Sequence, residues 1–168
     1  MEKIFVTDKN FSQIDYSEIN LRIGEYENCS FNNCNFSEAD FSEISFEDCL
    51  FENCDLNNIK LNKTALRSAT FKNCKMIGIN FDDCNPFLLS LHFENCQLNL
   101  SSFYRLQIKE TIFINCLLHE VDFTETLLSG SKFENCDFSG TVFESTVLEK
   151  ADFRYFGGLD GSLGPILG

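Results

Sequence analysis

Nine cysteines are the side chains in this sequence best suited to chemistry, and their spacing decides which chemistry is open to them. A structural zinc site needs thiolates and imidazoles that converge tetrahedrally, usually announced by cysteines two residues apart. No CxxC pair and no histidine cluster is present. A disulfide framework is not expected either. The count is odd, and the opening MEKIFVTDKN carries an acid and no apolar run of signal-peptide length, which points to a reducing, cytoplasmic setting. What eight cysteines share is a phase: Cys29, Cys34, Cys49, Cys54, Cys74, Cys96, Cys116 and Cys136 each stand two residues before an apolar residue of a five-residue count. Cys84 stands where that position would fall had the count continued to Pro86. They are read as small buried hydrophobes. His92 and His119 flank apolar residues of the same count, so they point outward, with no carboxylate or nucleophile set opposite them. GxGxxG, P-loop and GxSxG motifs are absent. No catalytic residue, metal ligand or cofactor is expected, and the chain reads as a non-enzyme.

The element that positions these residues is the count itself. From Phe11 every fifth residue is apolar through Tyr16, Leu21, Tyr26, Phe31, Phe36 and onward to Met76 and Phe81. A helix repeats near 3.6 residues and a strand at 2, so neither sets a beat of five. After Phe81 the count slips by two residues and resumes at Leu88 and Phe93, running to Leu148 and Phe153. Alternate residues of an extended segment point the same way. The small residue two before each centre therefore faces inward beside the large one.

Four of these units, ADFSE (Ala39 to Glu43), VDFTE (Val121 to Glu125), CDFSG (Cys136 to Gly140) and ADFRY (Ala151 to Tyr155), resemble the A(D/N)LXX unit of pentapeptide-repeat proteins. The resemblance implies an all-β fold: a right-handed quadrilateral parallel β-helix in which four pentapeptides make a square coil of twenty residues, here about seven coils without long loops. It also implies a bacterial source. Residues 1–10 are read as an N-terminal cap, 11–153 as the β-helix with a two-residue register break near 82–92, and 154–168 as a Gly-rich tail. That tail is a cap, a disordered or engineered extension, or a dimer contact. Coils twenty residues long predict one stack of Phe11, Phe31, Phe51 and Phe71, and another, on a different side, of Phe93, Phe113, Phe133 and Phe153. Two cysteine ladders follow, Cys34–Cys54–Cys74 and Cys96–Cys116–Cys136.

A net charge of -13 argues against direct binding to nucleic acid or to an anionic membrane, both of which need basic patches. It favours a protein partner with a basic surface. Nine acids and no base lie between Glu25 and Asp55, and five bases and no acid between Lys60 and Lys75. Subtracting twenty pairs Lys60 with Asp40, Lys63 with Glu43, Arg67 with Glu47, Lys72 with Glu52 and Lys75 with Asp55. The same arithmetic sets Arg105 against Glu125, Lys132 against Asp152 and Arg154 against Glu134. Glu25, Glu27, Glu38 and Asp48, and later Glu120, Asp122, Asp137, Glu144 and Glu149, have no base one coil away. They are expected to make two negative zones toward the ends of the rod.

The leading expectation is a non-enzymatic scaffold or protein-interaction module whose partner the sequence does not name. Its candidate sites are those acids and an elbow at Pro86 that exposes Phe87 and Leu89. The family resemblance adds an alternative: an acidic rod that mimics duplex DNA, binds DNA gyrase or topoisomerase IV, and modulates the enzyme or protects it from quinolones. The chain is expected to be a monomer or a weak end-to-end dimer.

Overall fold

A computed structural model describes residues 2–154. The five-residue count folds into two parallel sheets and two sides built of turns. The short sheet joins β1 (Ile4–Thr7), β3 (Gly24–Glu27), β5 (Ser45–Glu47) and β7 (Ala65–Arg67). The long sheet joins β2 (Asn10–Ser12), β4 (Ser30–Asn32), β6 (Leu50–Glu52), β8 (Ala69–Lys72), β9 (Leu91–Glu94), β10 (Ile112–Ile114), β11 (Lys132–Glu134) and β12 (Asp152–Arg154). Between them the chain makes two further sides from tight turns, linked rung to rung by single bridges such as Asn35 to Asp55 and Asp40 to Lys60. Each side of this square is one pentapeptide. The long sheet's eight rungs enclose seven coil steps.

Register shows how the break is absorbed. Phe51 lies opposite Phe71, twenty residues on, whereas Phe71 lies opposite Phe93, twenty-two on, and the twenty-residue step then returns at Phe113. One coil is lengthened and the sides do not rotate. The expectation of two phenylalanine stacks on different sides is therefore wrong: Phe11, Phe31, Phe51, Phe71, Phe93, Phe113, Phe133 and Phe153 form one column. Successive ring centroids lie 4.8–5.4 Å apart with near-parallel planes. Columns on opposite sides meet edge to face across the core, as Phe93 and Phe103 do at 6.1 Å and 80°. The cysteines likewise make one column of six.

The extra residues sit between Asn85, still bridged to Ala65, and Leu91, opposite Ala69. Leu88, a centre of the resumed count, does not face the core. It has φ 56° and is 63% exposed, and Leu89 packs inward in its place.

Two further regularities hold the coils. The small inward side chain donates to the carbonyl of the preceding side's centre one coil below: Thr64 Oγ1 to Phe41 O at 2.8 Å, Thr126 Oγ1 to Phe103 O at 2.8 Å, and Cys54 Sγ to Phe31 O at 3.3 Å. The last residue of most pentapeptides adopts φ between 50° and 72° to turn the corner. Asparagine tolerates that left-handed region better than other side chains with a Cβ. Asn or Asp precedes every one of the nine cysteines. At one corner Asn95 Nδ2 donates to Asn73 Oδ1 at 3.1 Å and Asn135 Nδ2 to Asn115 Oδ1 at 2.8 Å.

Phe113→Ala removes a fully buried ring from the middle of the long column and should cost about 3–5 kcal/mol in urea unfolding. Phe5→Ala, at a site 75% exposed, should change stability by less than about 0.5 kcal/mol. Leu100 is 58% exposed and holds φ 63°, so Leu100→Asn should raise stability by up to about 1 kcal/mol in the same assay.

Candidate partner-binding surface

Outward positions flank each centre, and the coil repeat stacks them in columns on each side of the rod. On the short sheet, Glu25 and Glu27 flank the buried Tyr26 on β3, both exposed. Asp48 turns the corner after β5 with φ 52°. Glu38 and Glu120 occupy the corner between the two turn sides, with φ 61° and 55°. Asp122, half-buried, lies on the second turn side, where its Oδ1 accepts from Thr124 N at 2.8 Å. Glu144 is exposed on that same side, and Glu149 is exposed on the side continuing the short sheet. Toward each end of the rod these acids are thus divided among several sides rather than gathered on one. The cause is the five-residue side: acids close in sequence turn a corner.

The ion pairs follow the coil arithmetic in part. Arg67 Nη1 lies 3.7 Å from Glu47 Oε2, and Arg105 Nε donates to Glu125 Oε2 at 2.7 Å. Lys72 lies opposite both Glu52 and Glu94, and its Nζ is 3.6 Å from Glu94 rather than paired to Glu52. Arg154 lies opposite Glu134 in register, while its Nη2 contacts Asp152 Oδ2 at 2.6 Å. His119 is not without a carboxylate: its Nε2 is 2.8 Å from Asp137 Oδ2. That pair spans eighteen residues, which a twenty-residue subtraction misses. Contact with His119, then with Ser139, holds the Asp137 carboxyl below its ordinary value. Burial raises the Cys34 and Cys84 thiols and pushes Cys49 up to about 12, which keeps these sulfurs protonated in the free protein.

The elbow is a bulge on the short-sheet side. Asn85 Oδ1 accepts from Phe87 N at 3.0 Å, and Leu89 N donates to Pro86 O at 3.4 Å, so the chain makes its own turn there. Ser90 N donates to Leu66 O at 3.0 Å and rejoins the coil below. Among the described residues no backbone hydrogen bond joins 86–90 to 105–110 on the coil above. Pro86 and Phe87 are exposed, Phe87 at 63% with Leu88, while Leu89 is half-buried against the core and is not part of the exposed tip.

The structure joins what the sequence kept apart. Glu27 lies opposite Glu47, Glu47 lies opposite Arg67, and the Arg67 guanidinium sits 5.7 Å from the centre of the Phe87 ring. Acids and bulge therefore form one column on one side of the rod: Glu27, Glu47, Arg67, Phe87. Glu25 and Asp48 stand beside it. The signal for this was present in the coil arithmetic, since Phe87 follows Arg67 by twenty residues.

Among the described residues no helix is long and apolar enough to cross a membrane, and no group of three or more His, Cys, Asp or Glu converges on a point that suits a metal ion. A family model described as a pentapeptide repeat region matches residues 24–86 and 88–156, two segments that part at the bulge. Among solved structures, full-length QnrB1, a plasmid-mediated fluoroquinolone resistance protein, is similar at 17% identity over 97% of each chain, with a TM-score of 0.43. HetL, a pentapeptide repeat protein involved in heterocyst differentiation regulation from the cyanobacterium Nostoc sp. strain PCC 7120, is similar at 11% identity over 88% of this chain and 86% of its own, with a TM-score of 0.36. No curated protein matches the sequence.

His119→Ala should let the Asp137 carboxyl titrate closer to the usual aspartate value, read by NMR. Because the folded value is depressed, the contact's stabilisation is present above the ordinary value of about 3.9 and is lost as pH falls through the depressed one. The stability gap between the two proteins should close on acidification.

Proposed function

Because the chain belongs to the pentapeptide-repeat family, we propose that it works as a rigid protein-interaction scaffold that engages its partner through the short-sheet side of the rod. The observation that carries this reading is the column from Glu27 to Phe87, where acids and an exposed aromatic share one side. Exposed Phe87 and Leu88 have no fold role that would account for their position. An aromatic tip seated in a pocket supplies affinity, and the acids beside it supply on-rate and orientation. The partner is a protein that presents an apolar pocket with a basic rim. Nine free buried thiols suit a reducing, cytoplasmic setting.

A second reading is favoured by the exposed acids that lie off this side, Glu38, Glu120 and Glu144, together with the half-buried Asp122. With a net charge of -13, a rod that is acidic on several sides would be steered toward the basic DNA-binding saddle of gyrase or topoisomerase IV. On this reading the whole rod, not one side, is the recognition element. The bulge is then incidental.

Two variants separate these readings: Phe87→Ala with Leu88→Ala, and Glu25→Lys with Glu27→Lys. The scaffold reading expects both to lose the same partner in pull-downs compared with wild type, with circular dichroism unchanged. DNA gyrase supercoiling is measured alongside, with and without a quinolone and at two salt concentrations. Salt-sensitive inhibition or quinolone protection that survives loss of Phe87 and Leu88 would replace the scaffold reading with DNA mimicry.

A further inference from the structure

Six of the nine thiols form a single column through the core. Cys34, Cys54, Cys74, Cys96, Cys116 and Cys136 each precede a residue bridged to its counterpart on the next coil: Asn35, Asp55, Lys75, Gln97, Leu117 and Asp137. Cys29 and Cys49 make a second column of two, beside the paired Ser30 and Leu50. Cys84 stands alone, next to Asn85 and above Thr64. All nine are free and buried. Within the column each sulfur donates to a backbone carbonyl of the coil below, as Cys54 does to Phe31 O and Cys74 to Phe51 O, both at 3.3 Å.

This arrangement excludes the two usual fates of paired cysteines. Side chains that leave the backbone in parallel, one rung apart, cannot bring their sulfurs to the disulfide length of about 2 Å without moving the coils. A tetrahedral ion needs four converging donors, and a straight column offers none. A linear, two-coordinate ion needs two donors in line. Two metal–thiolate bonds of about 2.3 Å laid end to end span about 4.6 Å, and rungs are about 4.8 Å apart. A sulfur reached from the side of the column and bonded along it also has the bent geometry that thiolates adopt.

We propose that the stacked thiol pairs are binding sites for a soft, linear, two-coordinate divalent cation of the Hg(II) class, filled as Cys34 with Cys54, Cys74 with Cys96, Cys116 with Cys136, and Cys29 with Cys49. Each ion forms two metal–sulfur bonds and displaces two thiol protons to solvent, leaving a neutral S–Hg–S unit. Neutrality matters in this core. A monovalent ion between two thiolates would leave a buried negative charge among phenylalanines, which is costly. Thiolate sulfur is the soft donor such ions select, and the contacts given up are weak S–H donations to backbone carbonyls. Adjacent gaps cannot both fill, because one sulfur would then bond two ions in a straight line. Entry is through local opening of a coil. Release of protons makes uptake stronger as pH rises.

Mercuric chloride titrated into the native full-length protein without added thiol, followed by desalting, metal analysis and the sulfur-to-mercury absorbance, should saturate at about four ions per chain. The melting temperature should rise, as it does for any ligand held by the folded state. Cys84→Ala should leave the count unchanged. Cys54→Ala should lower it by one and Cys54→Ala with Cys96→Ala by two, each with unaltered circular dichroism. A count that ignores which cysteine was removed, a fall in melting temperature, or equal uptake of zinc would each overturn the proposal.

Discussion

Parallel strands hydrogen-bond at one spacing, about 4.8 Å, and nearly every feature of this rod is a consequence of holding that spacing through eight rungs. Flat rings set one above another at that interval touch face to face, so a column of phenylalanines seals itself with centroids 4.8–5.4 Å apart. Isolated aromatic pairs prefer offset or edge-on contact. Here backbone register imposes the parallel stack within a column, and edge-on contact is met instead between columns. Phe suits both demands. Trp would bring an N–H into a core whose acceptors are already taken by small hydroxyls and thiols, and the sequence contains none.

The same spacing governs the surface. A side chain one coil away is a nearest neighbour, so charge is arranged vertically and sequence neighbours matter less. Arg105 with Glu125 and Arg67 with Glu47 are the favourable outcome. Glu27 opposite Glu47 is the unfavourable one, a like-charge rung that stability alone would not select. Arg67 relieves it from the far side while its guanidinium reaches Phe87. Each exposed pair contributes little, roughly 0–1 kcal/mol. Their placement tells more about recognition than about folding.

The fold was legible in the sequence because its period is short and repeated about twenty-nine times, so local errors could not hide it. The column of eight rings was not, because a slip of two residues has the same appearance whether it rotates the sides or lengthens one of them. Only the pairing of Phe71 with Phe93 decides that. The corner residues carried a readable signal in the Asn or Asp before eight of the nine cysteines, Asp83 being the exception, and it turns on backbone conformation and not on burial. His119 with Asp137 was hidden for another reason: a side chain can lean two positions along its neighbour, and coil subtraction assumes it stands straight. Cap and tail at 154–168 fall, past Arg154, outside the described residues.

A two-residue insertion in the middle of most sheets would shift every later strand. In this rod it stays local, because each coil touches only the coils above and below. Three sides continue across the break, through Phe71 with Phe93, Lys75 with Gln97 and Asn80 with Ser102. The fourth side alone gives up its backbone bonds to the next coil, and there Pro86 has no N–H to offer. Leu89 packs against the core in the place of Leu88, so Phe87 and Leu88 are left to solvent. A solenoid therefore has a cheap way to carry a recognition loop: lengthen one side of one coil, fill the core from the next residue along, and let the uninterrupted sides hold the axis. The column of acids leading up to that loop from β3 and β5 makes the insertion part of a surface and not merely a fault in the repeat.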